Sequence, residues 1–584
     1  AVIAAPENDL IESLPGYKSP LPAPQYSGFL DAAPATRGGG SHLHYWFAAY
    51  EGTKYDSWED APVVLWLNGG PGSTSMLGFL QELGPLLMKN VPTSTLEGDG
   101  GEEESMLVRN PYAWTNIANL VAFESPGGVG FSYCDDMLEN PENSCDYDDI
   151  TTANANAAAV RDFFTSKFPE LLNNPFYIAG ESYAGVYIPT LAKALLDGND
   201  VLPNKINLQG LLVGDPCTDN ESQELAFDML WYGHKHGFVP DDDFDLLWNT
   251  CQTRVPLAHS VGTTVKAAAL LDSDGPLLSR VGGGGRVEGD FKMKLVRQNQ
   301  QDQRQTLDAN LEMTCTAAER KFLLTTSKAF SQTWTKAFIN NLSLYGRSAV
   351  TSYDVPGSLN KAMADWMMLP QVRSALHMTN SPATQWPGPS YNWNYEKKYA
   401  ACTDLTRSED TPSMIDIYHN IAPRMPGRIM VFNGDTDPCV TYEGTRTAIQ
   451  KVGFEKVSSY RPWFYNATAA SLSLLKEKDP LFGPALSSMP SGPQMGGHVV
   501  DYEHGLSFAT VHGAGHMVPQ FRPQPSLTML NHVISGEMLS PLLPSDVDLA
   551  SMTEREFELF LGDWVDEARD YNYVGDNWRG GGEL

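Results

Sequence analysis

Beyond residue 50 the chain alternates between two kinds of segment. Residues 63–67, 120–123, 176–179 and 211–213 are uninterrupted apolar runs. Between them lie stretches with apolar residues at helical spacing, the Ala-rich 151–168 and then 186–196. Short continuous apolar runs read as strands covered on both faces, and parallel strands need crossover helices to join them. The rhythm therefore predicts an α/β fold with a mostly parallel sheet flanked by helices. It returns late, in 428–432, 506–511 and the amphipathic segment 524–534. From 217 to 425 strand-like runs are rare and helical patterns dominate, as in 221–237 and 317–342. Residues 256–310, with four glycines at 282–285 and a Gln/Arg-rich run, read as an exposed loop open to proteolytic cleavage. The expected organisation is a first core part at 1–216 with an N-terminal extension at 1–50, a largely helical cap insertion at 217–425, a second core part at 426–540, and an acidic tail at 541–584. The pattern assigns that tail no role.

Composition narrows the function classes. The 584 residues carry 71 acidic and 40 basic side chains, a net charge of −31, which argues against a surface built to neutralise nucleic acid. No apolar run approaches the roughly 20 residues of a membrane-spanning helix. The first residue is Ala1, consistent with a removed leader or with a trimmed chain, and three sequons at Asn220, Asn341 and Asn466 favour secretion. Seven cysteines permit at most three intrachain bridges. Cys251 and Cys315 flank the exposed loop and would tie its base, and Cys134 with Cys145 would close a short one.

The strongest local signal for chemistry is Gly180-Glu181-Ser182-Tyr183-Ala184, between the strand-like 176–179 and a helical stretch. A sharp strand-to-helix turn lifts a serine hydroxyl above a sheet, and it tolerates only small residues two positions to either side. Gly180 and Ala184 hold those positions. Such a serine needs a base, and the base an orienting acid, each on a loop leaving a strand. The loop after 428–432 offers Asp435 and Asp437; the loop after 506–511 offers His512 and His516. The four-residue spacing of those histidines suits a zinc pair, but Gly513 and Gly515 lie between them and the glutamate of H-E-x-x-H is absent. Neither a metal nor another cofactor is expected.

Six stretches then carry a family resemblance: LWLNGGPGS (65–73), ELGP (82–85), PGGVGFSY (126–133), FYIAGESYAG (176–185), FNGDTD (432–437) and GAGHMVP (513–519). In this order, over about residues 10–540, the chain resembles the serine carboxypeptidases of the α/β-hydrolase superfamily. The resemblance implies Ser182 as nucleophile, His516 as general base and acid, and Asp437 as its orienter, leaving Asp435 to brace the turn. It implies backbone N–H groups of Gly70 and Tyr183 as the oxyanion hole. It also implies that Asn68, Gly69 and Glu181 read the substrate's terminal carboxylate, with Glu82 behind Glu181, and that Met517 lines the leaving-residue pocket. In the family a cysteine often follows the NGGPG loop; here Ser73 stands there, so Cys402, which resembles the usual partner, is free or differently paired. Cys439 resembles the thiol that some relatives carry near the active site, or is a buried inert one. The expected function is release of single C-terminal residues from peptides at acid pH, in the secretory pathway, vacuolar, lysosomal or extracellular, by a monomer or homodimer. An acyltransferase or a non-catalytic protective protein on the same fold are the alternatives; acyltransferase relatives usually carry aspartate in place of Glu181.

Overall fold

The computed structural model describes residues 5–88, 106–224, 229–235, 237, 239–251, 264–266, 311, 313–318, 360–388, 393–403, 405–437, 440–467 and 492–572. Eleven strands form its principal sheet. In chain order they are β1 (Gln25–Ala32), β2 (Ser41–Ala48), β3 (Val63–Leu67), β4 (Asn119–Phe123), β5 (Tyr133–Cys134), β6 (Phe176–Glu181), β7 (Leu208–Gly214), β8 (Ile429–Gly434), β9 (Lys456–Ala467), β10 (Gly492–Tyr502) and β11 (Leu506–Val511). Across the sheet the order is β1-β2-β4-β3-β6-β7-β8-β11-β10-β9, with β5 pairing β2. The six strands from β4 to β11 in that order run parallel, and antiparallel strands border them on both sides.

The parallel centre follows from the apolar runs. In β3 alternate side chains divide between two cores. Val63, Leu65 and Leu67 join one face, Val64 and Trp66 the other, all fully buried. A strand covered on both faces has no polar phase, which is why its sequence reads as a continuous run. Helices α1 (Asp149–Asp162) and α2 (Ala184–Val201) cover the first face through Ala155, Val160, Val186, Ile188 and Leu191. Asp148 and Thr151 form a capping box at the start of α1. Helix α3 (Met414–Ile421) packs against α2 and delivers the chain into β8. Helix α4 (Pro523–Ser535) covers the second face with Leu527, Met529, Leu530 and Val533.

Three regions depart from the expected organisation. Residues 25–48, read as part of an extension, are β1 and β2 of the sheet itself. Polar residues interrupt their pattern, yet Ser27 and His44 are fully buried because they bond to each other at 2.9 Å. Residues 360–388, expected within the cap, pack into the core with Met363, Trp366, Trp386 and Met378 buried, and Trp366 Nε1 donates to Pro15 O at 2.9 Å. The tail forms two helices, Asp546–Ser551 and Glu554–Asp570. Trp564 is buried from the second and donates to Leu542 O at 3.1 Å, and Asn572 donates to Phe464 O of β9 at 2.5 Å. Of the expected cap helices, Asn220–Glu224 and Met229–Lys235 are present. Most of 317–342 and of 256–310 lies outside the described residues, although Thr264–Lys266 pairs with Asn394–Glu396.

A buried ionic cluster fastens the C-terminal segment to the antiparallel border. Asp501 of β10 accepts from Arg428, and from Arg461 Nη2 at 2.7 Å; Arg461 also donates to Pro541 O at 2.6 Å and Ser540 O at 2.8 Å. Removing one member of such a cluster strands the others without a counter-charge, at a cost of about 3–5 kcal/mol. Asp501→Ala is therefore expected to lower the thermal unfolding midpoint by several degrees in calorimetry. A midpoint equal to the parent's would mean that water replaces the carboxylate at no cost.

Candidate active site

The site forms where adjacent parallel strands end. β6 runs into Ser182, which adopts a φ of 65°, a left-handed conformation that costs a residue with a Cβ free energy. The turn is held by hydrogen bonds from Ser182 N to Gly214 O at 2.9 Å and from Cys217 N to Ser182 O at 3.0 Å. A Cβ at Gly180 would lie 2.0 Å from Leu67 O and 3.1 Å from the Ala184 Cβ, so the small-residue requirement read from the sequence has its cause here. A Cβ at Gly69 would lie 2.2 Å from Tyr183 N, so only glycine lets the 68–75 loop approach the serine turn this closely.

β8 and β11 supply the acids and the imidazoles, sorted in two pairs. His516 Nδ1 is 2.7 Å from Asp437 Oδ2, with Asp437 fully buried and His516 partly so. His512 Nδ1 is 2.7 Å from Asp435 Oδ2, and Gly513 N donates to Asp435 Oδ1 at 2.7 Å. Asp435 thus braces the turn that carries the second histidine. Val440 N also donates to Asp437 Oδ2, at 3.1 Å. Met517 is half-buried beside His516.

Asn68, at the end of β3, is fixed from several sides. Its Oδ1 accepts from Trp66 Nε1 at 2.8 Å and Gly78 N at 3.1 Å, which turns Nδ2 toward Glu181 Oε1 at 2.9 Å. Glu82 lies behind, buried and within reach of Glu181. Burial, then the Glu82 and Asp437 charges, push the Glu181 carboxyl well above the usual range; burial pushes Glu82 up as well. Two buried carboxyl groups so close favour the neutral form of at least one.

Three supports were not legible in the sequence. Glu124 accepts from Thr74, from Trp386 Nε1 at 2.9 Å and from Phe131 N at 2.7 Å, and its Oε2 lies 2.7 Å from His44 Nδ1; this anchors the 68–75 loop. Asp149 accepts from Tyr183 Oη at 2.9 Å and Tyr395 Oη at 2.8 Å, steadying the residue after the serine. Asp215, just beyond β7, lies against Asp437. Three disulfides occur among the described residues: Cys134–Cys145 and Cys251–Cys315, as read from the sequence, and Cys217–Cys402. Cys402 is thus differently paired, with the residue whose N–H braces Ser182. Cys439 and Asn341 lie outside the described residues. Asn220 donates its amide to Leu405 O at 2.6 Å, and Asn466 is half-buried in β9.

A parallel sheet flanked by helices, with a strained serine turn after one strand and an Asp and a His on loops after its neighbours, defines an α/β-hydrolase. The serine carboxypeptidase family profile matches residues 15–536, and the chain belongs to that family. It is 30% identical to serine carboxypeptidase 1 of Hordeum vulgare, covering 92% of this chain and 94% of that protein. It is 29% identical to the lysosomal protective protein of Mus musculus, covering 91% and 95%. Among solved structures, the prohormone-processing carboxypeptidase Kex1(delta)p of Saccharomyces cerevisiae shares the fold at a TM-score of 0.55 and 18% identity, over 93% of this chain and 97% of that one. Among the described residues no helix is long and apolar enough to cross a membrane.

The raised carboxyls have a consequence for stability. Glu82 and Glu181 hold protons in the folded chain at pH values where the unfolded chain, with carboxyls near 4.5, has released them. The folded state then binds more protons, so this contribution is complete below about pH 4.5 and is lost as pH rises. Thermal midpoints measured from pH 4 upward should fall more steeply in the parent than in a Glu82→Gln/Glu181→Gln double variant. Parallel curves would show that the pair ionises freely in the fold.

Proposed function

We propose that the chain is an active serine carboxypeptidase that releases single C-terminal residues from peptides through an acyl-enzyme. The observation that carries this reading is the buried Glu181–Glu82 pair of neighbouring carboxyls, with the Asn68 amide on Glu181, directly before Ser182. A neutral carboxyl next to an amide N–H is a suitable partner for a peptide's terminal carboxylate; an ionised one would repel it. With the Gly69 backbone, these groups would grip the free end and set the last peptide bond over Ser182.

In this mechanism His516 takes the Ser182 proton as Oγ attacks the scissile carbonyl. Asp437, bonded to Nδ1, keeps Nε2 free to accept that proton and stabilises the imidazolium. The N–H groups of Gly70 and Tyr183 stabilise the tetrahedral oxyanion, each by roughly 3–4 kcal/mol. Collapse breaks the C–N bond, and the imidazolium protonates the departing amine of the single amino acid, whose side chain Met517 helps to accommodate. Water, deprotonated by the same imidazole, then hydrolyses the acyl-enzyme and restores Ser182. The disulfides fit an oxidising compartment, and the need for protonated acids suits an acidic one, so we place the protein in the secretory pathway, vacuolar, lysosomal or extracellular.

Two outcomes test this. Ser182→Ala should lose at least about 10⁴-fold in kcat, while the parent, followed by mass spectrometry, removes one residue at a time from free C-termini and spares amidated ones. Equal cleavage of amidated peptides would refute the carboxylate grip, and transfer to an added alcohol outpacing hydrolysis would favour the acyltransferase. In the second, peptidase kcat/KM falls as pH rises and the Glu181–Glu82 pair loses its proton, whereas esterase activity on substrates without a carboxylate persists, because it needs only neutral His516. Superimposable profiles would remove Glu181 from recognition.

A further inference from the structure

Asp215 follows β7, between the strand that carries Ser182 and the strand that leads to Asp437. It is fully buried, with a backbone φ of 43°, a left-handed conformation that few non-glycine residues adopt among the described residues, Ser182 being another. Its backbone N–H donates to Phe432 O at 2.7 Å, and its Oδ1 accepts from Gly434 N at 3.0 Å and Asn433 Nδ2 at 3.3 Å. Among the described residues no N–H or hydroxyl reaches its Oδ2. An oxygen of Asp215, an oxygen of Asp437 and a ring nitrogen of His516 lie within 4.8 Å of one another. Asp215 lies within hydrogen-bonding reach of Asp437, and a bond between two carboxyl groups forms only if one brings the proton.

Building on the catalytic reading above, we propose that Asp215 is a positioning residue: its protonated carboxyl donates to Asp437 and fixes the carboxylate that orients His516. The assignment of donor follows from the partners. Asp437 Oδ2 already faces His516 Nδ1 and accepts from Val440 N, so Asp437 is engaged as an acceptor and the donor between the two carboxyls is Asp215. Asp215 faces the negative side of Asp437 and, beyond it, of Glu181, with Glu82 behind; among the described residues the basic group beside it, His516, is bonded to Asp437. Burial and the Asp437 charge accordingly drive the Asp215 carboxyl well above its ordinary range. The left-handed backbone aims this side chain back across the strand ends rather than along the chain.

The test compares Asp215→Ala and Asp215→Asn with the parent on a chromogenic ester, with active sites counted by a fluorophosphonate. The alanine variant has no donor to Asp437 and should lose on the order of 10- to 100-fold in kcat, with KM within about twofold. Asparagine keeps an acceptor for Gly434 N and offers Asp437 a permanent N–H. It should recover about tenfold of that loss and extend the pH profile upward, since it has no proton to lose. Equal kcat in the two variants, or an alkaline limb in the asparagine variant identical to the parent's, would overturn the inference, and the second comparison stands even if the alanine variant does not fold. If the fluorophosphonate labels Ser182 in the parent while these comparisons fail, only the role of Asp215 falls. If Ser182 is not labelled, the catalytic reading falls and this inference with it.

Discussion

Burying acids beside one another at the end of a sheet is the constraint on which this molecule turns. Glu82, Glu181, Asp215 and Asp437 are each almost wholly removed from water, and Asp215 and Asp437 converge on His516. Adjacent carboxylates in a medium of low dielectric repel by several kcal/mol, so the cluster can exist only with some of its members neutral. The surroundings decide which. Asp437 is given N–H donors and is suited to carry charge. Glu181 and Asp215 each abut another carboxyl, and burial with that neighbour's charge pushes both upward, toward the neutral form. The unusual property, an acid that can donate a hydrogen bond, thus comes from removing water and placing like groups together.

The sheet is what makes such crowding geometrically available. β6, β7 and β8 are consecutive parallel neighbours, in register from Gly180 against Val213 and from Gly214 against Phe432. Their C-terminal ends therefore emerge side by side, a strand spacing of about 5 Å apart. Each end then turns sharply, at Ser182 and Asp215 through left-handed backbone, so that side chains point across the strand ends instead of following the chain away. Helix α2 starts directly beyond the serine turn, and Cys217–Cys402 ties the neighbouring turn to the chain leaving the insertion. Strain at the turns is sustained because both faces of the sheet are packed.

Legibility of these features in the sequence followed their physical range. The parallel strands could be read because double-sided burial leaves a run of apolar residues, as in 63–67. The serine turn could be read because it imposes two small residues at fixed spacing. β1 and β2 were missed because their buried polar atoms, Ser27 and His44, are satisfied by each other, a pairing no single segment reveals. β9 and β10 were missed because Arg461 and Asp501 break the apolar phase and are matched only across strands. The partner of Cys402 lies 185 residues away, set by how the insertion returns to the core. Asp215 was invisible for the same reason: its meaning depends on β7 lying between β6 and β8, and strand order is a property of the fold.

A coupled cluster also changes what a titration means. Glu181 feels both Glu82 and Asp437, and Asp215 feels both Asp437 and Glu181. A proton leaving any one of them raises the cost of the next, so apparent values belong to the group rather than to a residue. In the proposed carboxypeptidase, recognition of a terminal carboxylate would add one more negative charge beside Glu181 and favour its neutral form. Binding of a peptide and ordering of the catalytic acid are then linked through Asp437, which borders both pairs. An ester without a carboxylate leaves that balance undisturbed. On the proposed reading, a difference between the two substrate types would be a property of the whole cluster, because Glu181, Asp215 and Asp437 form one electrostatic unit.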